Sequence, residues 1–127
     1  MANTILIVED SVTASMQLKF SLEALGFLVL EAETGKQGLE ALTHYEGLVD
    51  LIVSDHNMPD MTGLEMIKLI RTLPDPVKSN VMIIFLTSDT SPATRQEALD
   101  HKVRAVIYKP IKTDPFAAAI KKMLGAT

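Results

Sequence analysis

Five short apolar runs constrain this chain more than any other feature. They are Thr4–Val8 (TILIV), Phe27–Leu30 (FLVL), Leu51–Ser54 (LIVS), Val81–Leu86 (VMIIFL) and Ala105–Tyr108 (AVIY). Each is rich in Ile, Val, Leu and Phe and shows little polar alternation. A strand with one wet face would alternate, so continuous runs of this length suit strands covered on both faces, as in a parallel sheet. The stretches between them carry helical spacing and clear start signals. Ser11 can cap a helix running to about Leu25, where Gly26 supplies a left-handed stop. A second helix is expected from about Lys36 to Tyr45, after Thr34-Gly35, and a third over roughly Gly63–Thr72. The third must end before Leu73-Pro74-Asp75-Pro76, which no helix can cross. Ser91-Pro92 starts a fourth with a cap and a proline at the first helical position. A fifth is capped by Thr113 or Asp114 and continues through Pro115 to Leu124. Strict alternation of strand and helix predicts a doubly wound α/β fold, with a five-stranded parallel sheet and five helices.

Composition narrows the function classes. At 127 residues, with no linker, repeat or low-complexity segment, the expectation is one domain over residues 1–127. No cysteine is present, which excludes disulfides and thiolate metal or redox sites. A net charge of −4 argues against direct nucleic-acid binding. No apolar run approaches a membrane span, and Met-Ala-Asn-Thr offers no basic leader, so a cytoplasmic location is expected.

In a doubly wound sheet the ligand site lies beyond the carboxyl ends of the strands. Strand one ends in Glu9-Asp10, strand three in Asp55 followed by His56-Asn57-Met58-Pro59, strand four in Thr87-Ser88-Asp89, and strand five in Lys109-Pro110. Any one of these alone is ordinary, because chains turn polar where strands end. Together, on the ligand edge, they make a site. Glu9, Asp10 and Asp55 would repel one another unless a cation sat among them, and hard oxygen ligands point to Mg²⁺, with Mn²⁺ as a substitute. Lys109 adds a fixed positive charge and Thr87 a hydroxyl. Carboxylates, a divalent cation, a lysine and a hydroxyl form a phosphoryl-transfer constellation, with the central Asp55 as nucleophile and an acyl phosphate as intermediate.

Ile7-Val8-Glu9-Asp10, Asp55-His56-Asn57-Met58-Pro59 with Gly63, Thr87-Ser88 and Lys109-Pro110 stand in the order and positions of the receiver domains of two-component response regulators. The chain resembles that family, chemotaxis regulators included, over essentially its whole length. The resemblance implies a flavodoxin-like strand order, 2-1-3-4-5. It implies that Asp55 is the phosphoacceptor, receiving its phosphoryl group from a sensor histidine kinase or a histidine phosphotransfer protein. Asp10, Asp55 and the backbone carbonyl of Asn57 would ligate Mg²⁺ directly, with Glu9 holding it through water. Lys109 would pair with Asp55 or its phosphate, before a cis Lys109-Pro110 bond. Thr87 would turn to the phosphoryl group, with the small Ser88 leaving access open. Asn57 and Asp89 occupy positions that tune hydrolysis, and a carboxylate at Asp89 could orient the attacking water, which predicts a comparatively short-lived phosphoryl state. The activated surface would comprise the fourth helix, strand five and the fifth helix, acting on a downstream protein target.

Three features depart from or extend that pattern. Val106 stands where the family usually has an aromatic, three positions before the lysine, and Tyr108 alternates to the other face. Lys102 stands where Gly is frequent, which predicts a differently shaped exit from the fourth helix. On the first helix, Ala14, Leu18, Ser21, Leu22 and Leu25 share the core face, whereas Val12, Met16 and Phe20 form a stripe nearly opposite. That stripe either packs laterally against the last helix or, with Tyr108, forms a docking patch for a kinase, a phosphotransfer protein or a second copy. His44, His56 and His101 are scattered, with His56 at the rim of the site, and Lys121-Lys122 reads as a solvated helix end.

The chain ends about one turn after the last helix, which predicts a stand-alone receiver acting through protein contacts as a monomer or weak dimer, and not a metabolic enzyme. The alternatives are a hydrolase with an aspartyl-phosphate intermediate, a flavodoxin-like ligand binder and a receiver-like docking module with impaired switching. Asn57 stands where such hydrolases place a second Asp. Glu9-Asp10 would repel a phosphate from the loop a flavodoxin-like binder uses. Only Val106 favours the impaired switch.

Overall fold

β1 (Thr4–Val8) and β3 (Leu51–Asp55) are buried along their whole length, and the sheet is built outward from them. β2 (Leu28–Ala32) flanks β1, while β4 (Met82–Thr87) and β5 (Ala105–Tyr108) follow β3, giving the all-parallel order β2-β1-β3-β4-β5. The structure is a computed structural model and describes residues 3–125. Strand order and parallel sense agree with the expectation; β1 and β5 keep the expected bounds, and the other three strands shift by one or two residues. β2 begins after Phe27 and reaches Ala32, β3 includes Asp55 and β4 includes Thr87.

Both faces of the sheet are covered, which explains why the apolar runs lack alternation. Leu6, Val8, Ile52, Ile83 and Phe85 face helices α2 (Gly35–His44), α3 (Gly63–Arg71) and α5 (Pro92–Asp100), meeting Leu42, Met66, Ile67, Ile70 and Ala98. Ile5, Ile7, Val53, Ile84 and Leu86 face α1 (Val12–Ala24) and α6 (Thr113–Met123), meeting Leu18, Leu22, Ala117 and Ile120. Each fully buried aliphatic side chain contributes about 1.5–3 kcal/mol, so this two-faced core dominates the stability.

Among the described residues, six helices form where five were expected. The extra one is α4, a single turn over Pro76–Ser79 with Pro in its first turn and the Asp75 carboxylate accepting from the Val77 amide at 2.9 Å. The proline-rich segment ends α3, as expected, and then starts a helix instead of remaining a loop. α6 also differs. Its N-cap is Lys112, which makes no side-chain cap bond, and Asp114 accepts from Ser21 Oγ at 2.6 Å on α1. On α1, Ser15 is buried, donating to Glu31 at 2.6 Å, whereas Ala14 is half-exposed.

Lys102 closes α5 in the left-handed region, at φ +63°, so the exit keeps that shape without a glycine. The Lys102 amide donates to the Leu99 carbonyl at 2.9 Å and the Val103 amide to that of Ala98 at 3.4 Å, as in a glycine-ended helix. Arg71 locks the turn from below. Its guanidinium donates to the carbonyls of His101 (2.8 Å), Lys102 (3.1 Å), Ser79 (2.9 Å) and Val81 (2.8 Å).

Candidate functional site

Parallel register carries the polar strand ends to one edge. Val8 lies beside Ser54, Asp55 beside Leu86, and Thr87 beside Tyr108, so Glu9, Asp55, Thr87 and Lys109 follow one another across the sheet. Glu9 and Asp55 are buried and Asp10 is exposed, and each offers a carboxylate oxygen within 4.8 Å of the others. Carboxylates this close carry strong mutual repulsion in a medium poorer than water. A protein cation answers part of it. Lys109 Nζ stands 2.9 Å from Asp55 Oδ1 and 3.1 Å from Glu9 Oε1.

Backbone contacts hold these groups in place. The Ser11 amide donates to Glu9 Oε2 at 3.1 Å and the His56 amide to Asp55 Oδ1 at 2.8 Å. The Lys109 amide donates to the Thr87 carbonyl at 2.9 Å, extending the β4–β5 ladder to the lysine, whose bond to Pro110 is cis as expected. Gly63 is required by proximity: a Cβ there would lie 2.3 Å from the Asp55 carbonyl oxygen and 2.9 Å from the Phe85 ring. Burial pushes the Glu9 carboxyl above its ordinary value; the Ser11 amide opposes this, the Asp55 charge adds to it, and Lys109 draws it down. Burial acts to lower the Lys109 ammonium, but its bonds and charge pairing with Asp55 and Glu9 outweigh this and raise it. The lysine is therefore firmly charged.

Thr87 is buried, and its hydroxyl accepts from the Asp89 amide at 2.9 Å. Both Asp89 oxygens are committed to the start of α5, one accepting from the Ser91 amide at 2.8 Å and the other from the Thr94 hydroxyl at 2.6 Å. Asn57 is exposed on the loop after Asp55. His56 is half-buried at the rim, its ring edge-on to Phe85 at 5.1 Å with Nδ1 buried and unpartnered. Val106 is half-buried beside Phe85 on β4, and Tyr108 is exposed at the sheet edge. Beside Lys109, a cavity of about 200 Å³ opens between α1 and the β5–α6 connection, lined largely by apolar groups including Leu18, Val53 and Ile111.

The response regulator receiver domain family matches residues 5–121. The chain belongs to this family. A probable chemotaxis protein CheY of Rhizobium etli is 35% identical over 123 residues, covering 96% of this chain and 92% of the relative. A chemotaxis protein CheY homolog of Campylobacter jejuni is 34% identical over 122 residues, covering 95% and 92%. Among solved structures, the chemotaxis response regulator CheY4 of Vibrio cholerae superposes with a TM-score of 0.84 at 27% identity, covering 96% of this chain and 98% of that one. The CheY-like receiver domain protein of Methanospirillum hungatei gives 0.86 at 26% identity, covering 98% and 95%. The strand order found here thus goes with CheY-like relatives in sequence and in fold.

The stripe on α1 faces solvent. Val12 is 55%, Met16 61% and Phe20 77% exposed, and the contact between α1 and α6 is made instead by Leu18, Leu22, Ala117 and Ile120. Lateral packing of Phe20 against the last helix is therefore corrected; with Met16 it borders a shallow groove that ends at Thr113 and Asp114. Among the described residues, no helix is long and apolar enough to cross a membrane.

Proposed function

We propose that this receiver accepts a phosphoryl group on Asp55 from a phosphohistidine, in a Mg²⁺-dependent reaction, and signals through protein contacts. The observation that carries this reading is the buried Asp55 carboxylate, 2.9 Å from Lys109 Nζ and grouped with Glu9 and Asp10. An all-oxygen donor set suits Mg²⁺, or Mn²⁺ in its place. Asp10, Asp55 and the Asn57 carbonyl would hold the ion directly and Glu9 through water; bound there, it neutralises charge developing on the transferred group.

An Asp55 oxygen attacks phosphorus, the P–N bond to the donor imidazole breaks, and the imidazole leaves with the bonding pair and takes up a proton. An acyl phosphate remains on Asp55. Lys109 moves its charge from the carboxylate to the phosphoryl oxygens, and Thr87 turns toward them, giving up its bond from the Asp89 amide. That turn would be felt in α5, β5 and α6, the surface offered to a downstream target. Asn57 and Asp89 are assigned the tuning of hydrolysis, and Asp89 can orient water only once its bonds to Ser91 and Thr94 open. The apolar stripe Val12, Met16 and Phe20, with Tyr108, is assigned to partner docking by a sensor histidine kinase or histidine phosphotransfer protein. A cytoplasmic regulator, monomeric or weakly dimeric, fits this scheme.

The deciding experiment is intact mass after incubation with Mg²⁺ and acetyl phosphate. A single phosphoryl adduct, lost in Asp55→Asn and in a chelated sample, is expected. No adduct under any condition would favour the second reading, a docking module with impaired switching, for which the half-buried Val106 in place of an aromatic is the supporting observation.

A further inference from the structure

The proposed metal site depends on one ligand that no side chain can adjust. The Asn57 carbonyl belongs to the backbone, so its position is that of the loop between β3 and α3. No hydrogen bond among the described residues holds Asn57, Met58 or Pro59 themselves. The loop is fixed at its two ends. The Gly63 amide donates to the His56 carbonyl at 2.7 Å, joining the two ends, and Thr62 and Glu65 form a reciprocal cap at the start of α3.

The other anchor lies on a different element. Asp60 Oδ1 accepts from the Gly35 amide at 3.0 Å and Oδ2 from the Lys36 amide at 2.8 Å. These are the first two amides of α2, which the helix itself leaves without acceptors. Thr34 Oγ1 takes the third available donor, the Gln37 amide, at 3.0 Å. The next loop residue reinforces the junction. Met61 lies so close over Gly35 that a Cβ there would be 2.3 Å from Met61 Cγ. The Lys36 amide foremost, with that of Gly35, holds the Asp60 carboxyl below the ordinary range although the side chain is exposed. An exposed aspartate that grips two amides of a neighbouring helix does little for the core. What it does fix is the loop three residues after Asn57.

We propose that Asp60 is a positioning residue for the metal site, clamping the Asn57 carbonyl in place by binding the loop to the N-terminus of α2. The proposal rests on the Mg²⁺-dependent reading given above. Mg²⁺ demands near-ideal octahedral geometry, so a displaced carbonyl is felt directly as lost affinity. Groups that orient ligands from behind typically change metal affinity about 10–100-fold when removed, and the exposed clamp here belongs at the low end of that range.

Calorimetric titration of Mg²⁺ into metal-free protein, paired with a metal-free thermal melt, tests it. Asp60→Ala is expected to weaken Mg²⁺ binding about tenfold, and Asp60→Asn to recover most of that, since its amide oxygen still accepts from one of the two donors. Thr34→Ala is the control. It removes a cap from the same helix without touching the loop, so it should lower the melting temperature and leave Mg²⁺ affinity unchanged. Asp60→Ala binding Mg²⁺ like the parent would overturn the proposal. So would Thr34→Ala weakening binding equally, because helix stability and not loop position would then be the cause. A parent protein that binds no Mg²⁺ is a different result: it overturns the metal-dependent reading itself.

Discussion

Glu9 and Lys109 stand 100 residues apart in the chain and 3.1 Å apart in space, and the pairing leaves the glutamate only partly compensated. Burial holds its carboxyl above the ordinary value of 4.5. A folded-state value above the unfolded one means that the folded chain binds this proton more tightly. The stability it contributes is greatest below pH 4.5 and is lost as pH rises through the raised value. At neutral pH the charged Glu9 therefore strains the metal-free protein. Glu9→Gln should raise the metal-free stability there by about 1 kcal/mol, with the advantage shrinking on acidification, while Mg²⁺ binding weakens. Thermal melts of both proteins across that range check it; equal stability at neutral pH would refute it. Lys109, whose value is raised, contributes evenly below 10.5 and supplies no counter-trend.

Phe20 separates folding from recognition. With most of its surface in solvent, Phe20→Ser should change stability by no more than about 0.5 kcal/mol. Phosphotransfer from a histidine kinase or phosphotransfer protein should slow several-fold, while phosphorylation by acetyl phosphate keeps its rate. A large fall in melting temperature would instead return Phe20 to the core.

Lys102 holds a conformation that costs a side-chain-bearing residue on the order of 1 kcal/mol. Lys102→Gly removes that cost and adds some unfolded-state freedom, so a net gain of about 0.5 kcal/mol is expected in chemical denaturation. Loss of stability would mean that the Lys102 side chain contributes contacts exceeding the backbone strain.

Asp89 braces α5, and on the proposed chemistry it also orients water; substitution can divide the two. Once Asp55 carries a phosphoryl group, Asp89→Ala should lengthen its lifetime several-fold, a barrier change of roughly 1 kcal/mol. Thr94→Val frees one Asp89 oxygen and should shorten it. Intact mass followed over time reads both, and the parent adduct should disappear well before many hours pass. If neither variant alters the decay, Asp89 serves only to brace α5.

The carboxyl-edge residues were legible because strand ends in a doubly wound fold converge whatever the loops do. Glu9, Asp55, Thr87 and Lys109 needed only the run boundaries, give or take a residue. α4 was missed although its signal was present: Asp75-Pro76 is the same cap-and-proline pair that correctly marked α5 at Ser91-Pro92. The fate of Phe20 was not legible, since helical spacing says which residues share a face and nothing about what covers it. Arg71 and Asp60 were invisible for a related reason. Each binds backbone groups of remote segments, and carbonyls and amides carry no sequence signature.

Because the acidic edge draws on β1, β3, β4 and the residues after β5, no stretch of the polypeptide holds a working acceptor by itself. A nascent chain that has emerged as far as Asp55 has the nucleophile but lacks the lysine that would steady the incoming charge. On the proposed chemistry, such a fragment is silent. On that chemistry, modification of Asp55 reports that the chain is folded through Lys109, and copies cut short of that residue stay out of the signal.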